Sequence, residues 1–72
     1  MTASRKGRKD PGRMLRTLRQ ERGWGVRELA EKSSVPAGYI SELENGRKAN
    51  PGLDVLRRLA KALGVPVTEL LE

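Results

Sequence analysis

The last third of the chain carries a repeat of apolar residues that strongly restricts the fold. Leucine or alanine occupies positions 53, 56, 59, 60 and 63, which is the spacing of one helix face. The pattern predicts a helix that opens at Leu53 and ends at Gly64 and Pro66, because glycine and proline commonly follow a helix C-terminus. No segment alternates apolar and polar residues as a strand would. The sequence therefore predicts an all-α fold.

Glycines and prolines divide the rest of the chain into shorter helical patterns. Gly23 and Pro36 mark two of the breaks, and Gly46 marks a third. The predicted helices run from Pro11 to about Arg22, from Val26 to Ser33, and from about Ala37 to Asn45. Residues 67–71 predict one or two further turns, in which Leu70 or Leu71 either closes the core or stays exposed. The expected architecture is a compact bundle of four to five helices.

Length and composition exclude several classes of protein. A chain of 72 residues supports one small core, and the absence of cysteine and histidine removes disulfides, the usual metal ligands and imidazole catalysis. Without histidine or cysteine, a nucleophilic serine would need a lysine or carboxylate base, and Ser33, Ser34 and Ser41 show no arrangement that suggests one. We therefore expect no enzyme activity, cofactor, metal or small-molecule ligand. The polar N-terminus and the lack of a long apolar run predict a cytoplasmic protein without a membrane partner.

The positive charge is concentrated at the start of the chain. The net charge is +6, and residues 1–22 hold eight basic and two acidic residues, whereas the remainder is balanced. Residues 1–10 lack apolar periodicity and predict a disordered basic arm, followed by one domain at residues 11–72. Such an arm is typical of a protein that meets a polyanion. A solvating tail is the alternative for residues 1–9.

The middle of the chain places two short helices around a turn of three or four residues, with small and polar residues on the outer face of the second. The most informative residues are the run from Arg27 to Lys32, Val35, the run Tyr39-Ile40-Ser41, the run from Leu43 to Arg47, Asn50-Pro51, and the run from Leu59 to Val65. Together they resemble the Cro/C1-type (lambda-repressor-like) helix-turn-helix family. The resemblance covers roughly Gly12 to Leu71.

The resemblance implies a five-helix domain that acts as a homodimer on a palindromic operator in double-stranded DNA, with the third helix in the major groove. It puts the base contacts on Ala37, Gly38, Ser41 and Glu42. Neither Ala37 nor Gly38 has a side chain that can form paired hydrogen bonds with a base edge, although an alanine can touch a thymine methyl. Ser41 can bond a base or a phosphate. Glu42 either accepts from a cytosine amino group or is a solvated charge.

Gly38 costs about 1 kcal/mol relative to alanine inside a helix. Either the third helix begins after Gly38, or the position needs close approach of the backbone to DNA.

The resemblance also implies where phosphates bind. The implied positions are Val26 and Arg27 at the start of the second helix, and Asn45, Arg47 and Lys48 after the third. Val26 departs from the family's common glutamine, so only its backbone N–H can serve. Tyr39 matches a tyrosine of the restriction-modification controller branch. Its hydroxyl either donates to a phosphate or belongs to a half-buried amphipathic ring.

Arg19 and Glu44 match a pair that forms a structural ion pair between the first and third helices in some family members. The expected function is sequence-specific DNA binding by a transcriptional regulator, most simply a repressor at the nucleoid. A protein-interaction module, such as an antitoxin, is the alternative. The dimer surface would use the outer face of the fourth helix and residues 67–71, unless a longer regulator supplies it.

Overall fold

The computed structural model describes residues 11–48 and 50–71, so the predicted basic arm at residues 1–10 lies outside the described part of the chain. The helices are α1 (Pro11–Glu21), α2 (Val26–Ser33), α3 (Ala37–Glu44) and α4 (Leu53–Leu63), followed by a 3₁₀ turn at Val67–Glu69. The predicted all-α fold is confirmed. The bounds of α2 and α4 agree with the apolar pattern, and α1 and α3 each end one residue earlier than predicted.

One aliphatic core joins the helices. Its buried members are Leu15, Leu18, Leu29, Val35, Ile40, Leu43, Leu56, Leu59, Ala60, Leu63 and Leu70. Leu70 is 1% exposed, so it closes the core after the 3₁₀ turn, while Leu71 is half-buried. Leu53 at the start of α4 is 47% exposed. The end of the chain thus contributes one leucine to the core.

The helices pack in pairs that join α1 to α3 and α2 to α4. Helix α3 packs against α1 and α2, and α4 packs against α2 and the 3₁₀ turn. The contact between α1 and α3 depends on Gly12. A Cβ at that position would collide with the Leu43 carbonyl oxygen and lie 3.3 Å from the Glu44 Cα. Only glycine lets these two backbones approach so closely.

The turn between α2 and α3 is held by its own polar groups. The buried Ser33 hydroxyl donates to the Leu29 carbonyl at 2.7 Å and accepts from the Val35 N–H at 3.2 Å. Ser34 adopts a left-handed conformation with φ 63°, and its N–H donates to the Ala30 carbonyl. A non-glycine residue in this region is strained. The turn therefore sets the direction of α3 at some conformational cost.

Candidate nucleic-acid interface

Helix α3 presents two different faces. Ile40 and Leu43 point into the core with 0% and 2% exposure. Positions 38, 41, 42 and 45 recur at the spacing of the opposite face. Gly38 and Glu42 are exposed there, and Ser41 is half-buried. The inner face anchors the helix, so the outer face is presented in a defined orientation.

The first two residues of α3, Ala37 and Gly38, carry a methyl group and no side chain, respectively. Ala37 is the first residue of the helix and is half-buried, so the helix begins before Gly38, not after it. Gly38 has no positive φ, and a Cβ built on it meets nothing within 4 Å. The fold therefore does not require glycine at this position. Close approach of another molecule remains as a reason for it.

The turn after α3 carries two cations back beside the helix. Gly46 has φ 76°, and its N–H donates to the Leu43 carbonyl while the Arg47 N–H donates to the Glu42 carbonyl at 2.8 Å. These two bonds form a Schellman cap, which satisfies carbonyls at the helix end. Arg47 is exposed and Lys48 half-buried. Because the backbone of the turn is tied to α3, both side chains start from defined positions at its edge.

Lys48 lies between two side chains of α3. Its Nζ is 4.9 Å from the centroid of the Tyr39 ring and 3.7 Å from Glu42 Oε1. The first contact is a cation–π interaction and the second an exposed ion pair. Tyr39 is half-buried and packs against the core. The sequence predicted DNA contacts for all three residues but did not indicate that Lys48 contacts the other two.

The start of α2 offers backbone donors. Val26 is the first helical residue and is half-buried, while Arg27 is exposed. The first N–H groups of a helix have no intrahelical partner, and the helix dipole adds a partial positive charge there. The Arg27 guanidinium lies beside them in sequence and adds a full charge. Glu28 in the same turn adds an opposing negative charge, so the backbone N–H groups and Arg27 are the groups at this end that favour an anion.

Arg19 and Glu44 form a bidentate ion pair between α1 and α3. Arg19 Nε donates to Glu44 Oε2 and Arg19 Nη2 to Glu44 Oε1, both at 2.8 Å. Arg19 Nη1 donates to the Trp24 carbonyl, also at 2.8 Å. The side chains are only 11% and 3% exposed, and the hydrogen bonds that Arg19 donates to Glu44 raise the pKa of Arg19. The pair fixes the C-terminal end of α3 to α1.

Arg16 is a residue that sequence reasoning missed. Its Nε lies 3.4 Å from Glu44 Oε1, and its Nη2 donates to Asn45 Oδ1 at 3.3 Å. Since arginine has only donors, Asn45 turns its amide oxygen toward Arg16 and its NH₂ group away. Arg16 thus orients Asn45 as a donor for an external acceptor. The only sequence signal was its position one turn before Arg19 on the same helix face.

Comparison with known proteins agrees with this geometry. Residues 15–70 match the model of the helix-turn-helix family. The chain belongs to the Cro/C1-type helix-turn-helix family. It is 45% identical over 58 residues to the HTH-type transcriptional regulator DdrOP3 of Deinococcus deserti, covering 81% of this chain and 44% of that protein. It is 34% identical over 61 residues to the HTH-type transcriptional regulator SinR of Bacillus subtilis, covering 85% of this chain and 55% of SinR.

A solved structure shares the Cro/C1-type arrangement. The restriction-modification controller protein C.AhdI from Aeromonas hydrophila matches with a TM-score of 0.80 and 32% identity, covering 86% of this chain and 92% of that chain. The curated relatives are longer, and the chain spans about half of their length. In the part of the chain that the structure describes, no helix is long and apolar enough to cross a membrane.

Proposed function

We propose that this chain binds double-stranded DNA sequence-specifically, with α3 in the major groove, and regulates transcription. The observation that carries the proposal is the division of α3 into a buried apolar face and an exposed small, polar face, with Arg47 and Lys48 beside its C-terminal end. A helix held in this way can enter the groove while the cations meet the backbone. The names of the relatives, which are transcriptional regulators, support the same function.

Phosphate contacts on two sides would fix the register of α3 on the duplex. On one side are the first N–H groups of α2 at Val26, together with Arg27. On the other are Arg47, Lys48 and the amide of Asn45, which Arg16 orients. Tyr39 lies under Lys48 and extends this second group.

Base readout would depend on few direct contacts. Ser41 and Glu42 supply the polar groups, and Ala37 supplies a methyl for thymine. Gly38 leaves room for the DNA to approach the backbone, because nothing in the fold occupies its Cβ position. We therefore assign part of the specificity to the shape and deformability of the duplex, which proteins read without base contacts.

The basic arm would add affinity. Helix α1 packs against α3, with Gly12 directly against the last turn of α3, so the first residues of α1 lie close to the proposed interface. Residues 1–10 include four basic residues at positions 5, 6, 8 and 9. Each phosphate that a cation neutralises strengthens binding at low salt.

A dimer is the second part of the proposal. A two-fold dimer reads half-sites about 34–36 Å apart and gains affinity that one domain lacks. The candidates for self-association are Leu53 on α4, which is exposed, and Val67 and Leu71 near the 3₁₀ turn, which pack against the core but are only half-buried. We place this regulator at the nucleoid in the cytoplasm and assign it no catalytic step.

Titration of labelled duplex DNA at several salt concentrations tests the proposal. The logarithm of the affinity should fall linearly with the logarithm of the salt concentration, and Arg47→Ala should lower the slope by about 0.9. Lys32→Ala is the matched control, because Lys32 is an exposed cation in the last turn of α2 and lies outside the proposed contacts with DNA and the proposed dimer surface. Absence of salt-dependent binding to any duplex would contradict the proposal and favour a protein-interaction module.

A further inference from the structure

Glu42 places a negative charge on the face that is proposed to meet a polyanion. Its side chain is 52% exposed and lies next to Ser41 in sequence. A carboxylate at this position repels phosphates, so it needs a partner in any complex with DNA. In the free protein that partner is Lys48.

The position of Lys48 is set by the turn after α3. The Arg47 N–H is bonded to the Glu42 carbonyl, which keeps the following residue beside the helix. Lys48 then reaches Glu42 on one side and the Tyr39 ring on the other. The ammonium group is therefore held at the edge of the proposed interface.

The contact between Lys48 and Glu42 is loose enough to be exchanged. The distance of 3.7 Å is too long for a direct hydrogen bond, and Lys48 is itself 37% exposed. Exposed pairs of this kind contribute little to stability. Both groups can therefore leave each other for better partners without cost to the fold.

We propose that Glu42 and Lys48 exchange partners on the correct DNA sequence. Where a cytosine faces Glu42, the carboxylate accepts a hydrogen bond from the cytosine amino group, and Lys48 is released to a phosphate. On other sequences Glu42 keeps Lys48, and this phosphate contact is not made. Glu42 is thereby a specificity-determining residue that links the identity of a base to the affinity for the backbone.

This inference rests on the proposed function, since it needs α3 in the major groove. Its distinctive consequence is a salt dependence that varies with sequence. One additional phosphate contact steepens the dependence of log affinity on log salt by about 0.9. The exchange therefore predicts a steeper slope on the cognate duplex than on one that lacks the cytosine.

The experiment uses the full chain and a duplex selected by it from a random pool, together with copies of that duplex changed at one base pair each. Affinity is measured at several salt concentrations for the wild type, Glu42→Gln, Lys48→Met and the double variant. For the wild type, one substituted duplex should show a slope smaller by about 0.9. Glu42→Gln should restore the slope on that duplex. Lys48→Met and the double variant should each give the same slope on both duplexes.

Two results would overturn the exchange. One is a wild-type slope that is equal on all duplexes. The other concerns the increase in slope that Glu42→Gln causes. If this increase is as large in the Lys48→Met background as in the wild-type background, simple repulsion of phosphates by Glu42 explains it, and no exchange with Lys48 is needed. Glu21→Gln removes the same charge from the exposed end of α1, outside the proposed contacts, and should leave every slope unchanged. Failure of the wild type to bind any duplex would instead refute the proposed function together with the exchange.

Discussion

Glu44→Ala removes one partner of the ion pair that joins α1 to α3. The carboxylate is 3% exposed and accepts two hydrogen bonds of 2.8 Å from Arg19. Its loss leaves the Arg19 guanidinium, only 11% exposed, without its counter-charge. Removing one member of a buried ion pair costs about 3–5 kcal/mol in unfolding free energy. The variant should be destabilised by an amount in this range.

This cost is a large part of the total stability. A domain of this size has an unfolding free energy of roughly 4–11 kcal/mol. Each kcal/mol corresponds to about 4–8 °C in the melting temperature of such a domain, so Glu44→Ala should lower the Tm by at least about 12 °C. Thermal melting followed by circular dichroism measures this directly, and DNA binding at 25 °C should fall as the folded fraction falls.

Asp54→Ala provides the matched control. Asp54 pairs with Arg58 one turn along α4 at 3.2 Å, but both side chains are more than half exposed. Exposed pairs of this kind contribute about 0–1 kcal/mol, so this variant should melt close to the wild type. A Glu44→Ala melting curve that coincides with the wild-type curve would refute the reasoning. Recovery of stability in Arg19→Met/Glu44→Leu would support it, since two apolar residues leave no uncompensated charge.

Three further substitutions test the backbone geometry. Gly12→Ala should cost about 1–3 kcal/mol in urea denaturation, because its Cβ would collide with the Leu43 carbonyl; an unchanged midpoint would show that α1 moves away freely. Ser34→Gly should raise stability by up to about 1 kcal/mol by relieving the left-handed conformation, and a lower midpoint would contradict the strain. Gly38→Ala should stabilise the fold by about 0.4–1 kcal/mol yet weaken binding to the selected duplex, and undiminished affinity would argue against close backbone approach.

Local patterns in the sequence were sufficient for the helices and for the position of the turn. The bounds of α2 and α4 follow from apolar spacing and from the glycines and prolines around them. These signals act over a few residues, because a helix is made of contacts three and four positions apart. The outer face of α3, with Gly38, Ser41 and Glu42, follows from the same spacing once Ile40 and Leu43 are assigned to the core.

Side-chain partnerships within the site required the tertiary structure. Arg16 orients Asn45 across 29 positions of sequence, and no local pattern reports a contact of that separation. The place of Lys48 between Tyr39 and Glu42 depends on how the turn after α3 folds back onto the helix. Residue type therefore indicated most of the charged groups of the site but missed Arg16, and it did not indicate which group each one contacts.

The sequence by itself determined the all-α fold, the helix-turn-helix and the small, polar outer face of α3, since these depend on short-range periodicity and on turn residues. The tertiary structure decided how closely α3 packs on α1 and which charged side chains pair with one another in the free protein. Gly12 illustrates the difference. It is an ordinary helical residue in the sequence, and only the packing of α1 on α3 makes it a close backbone contact.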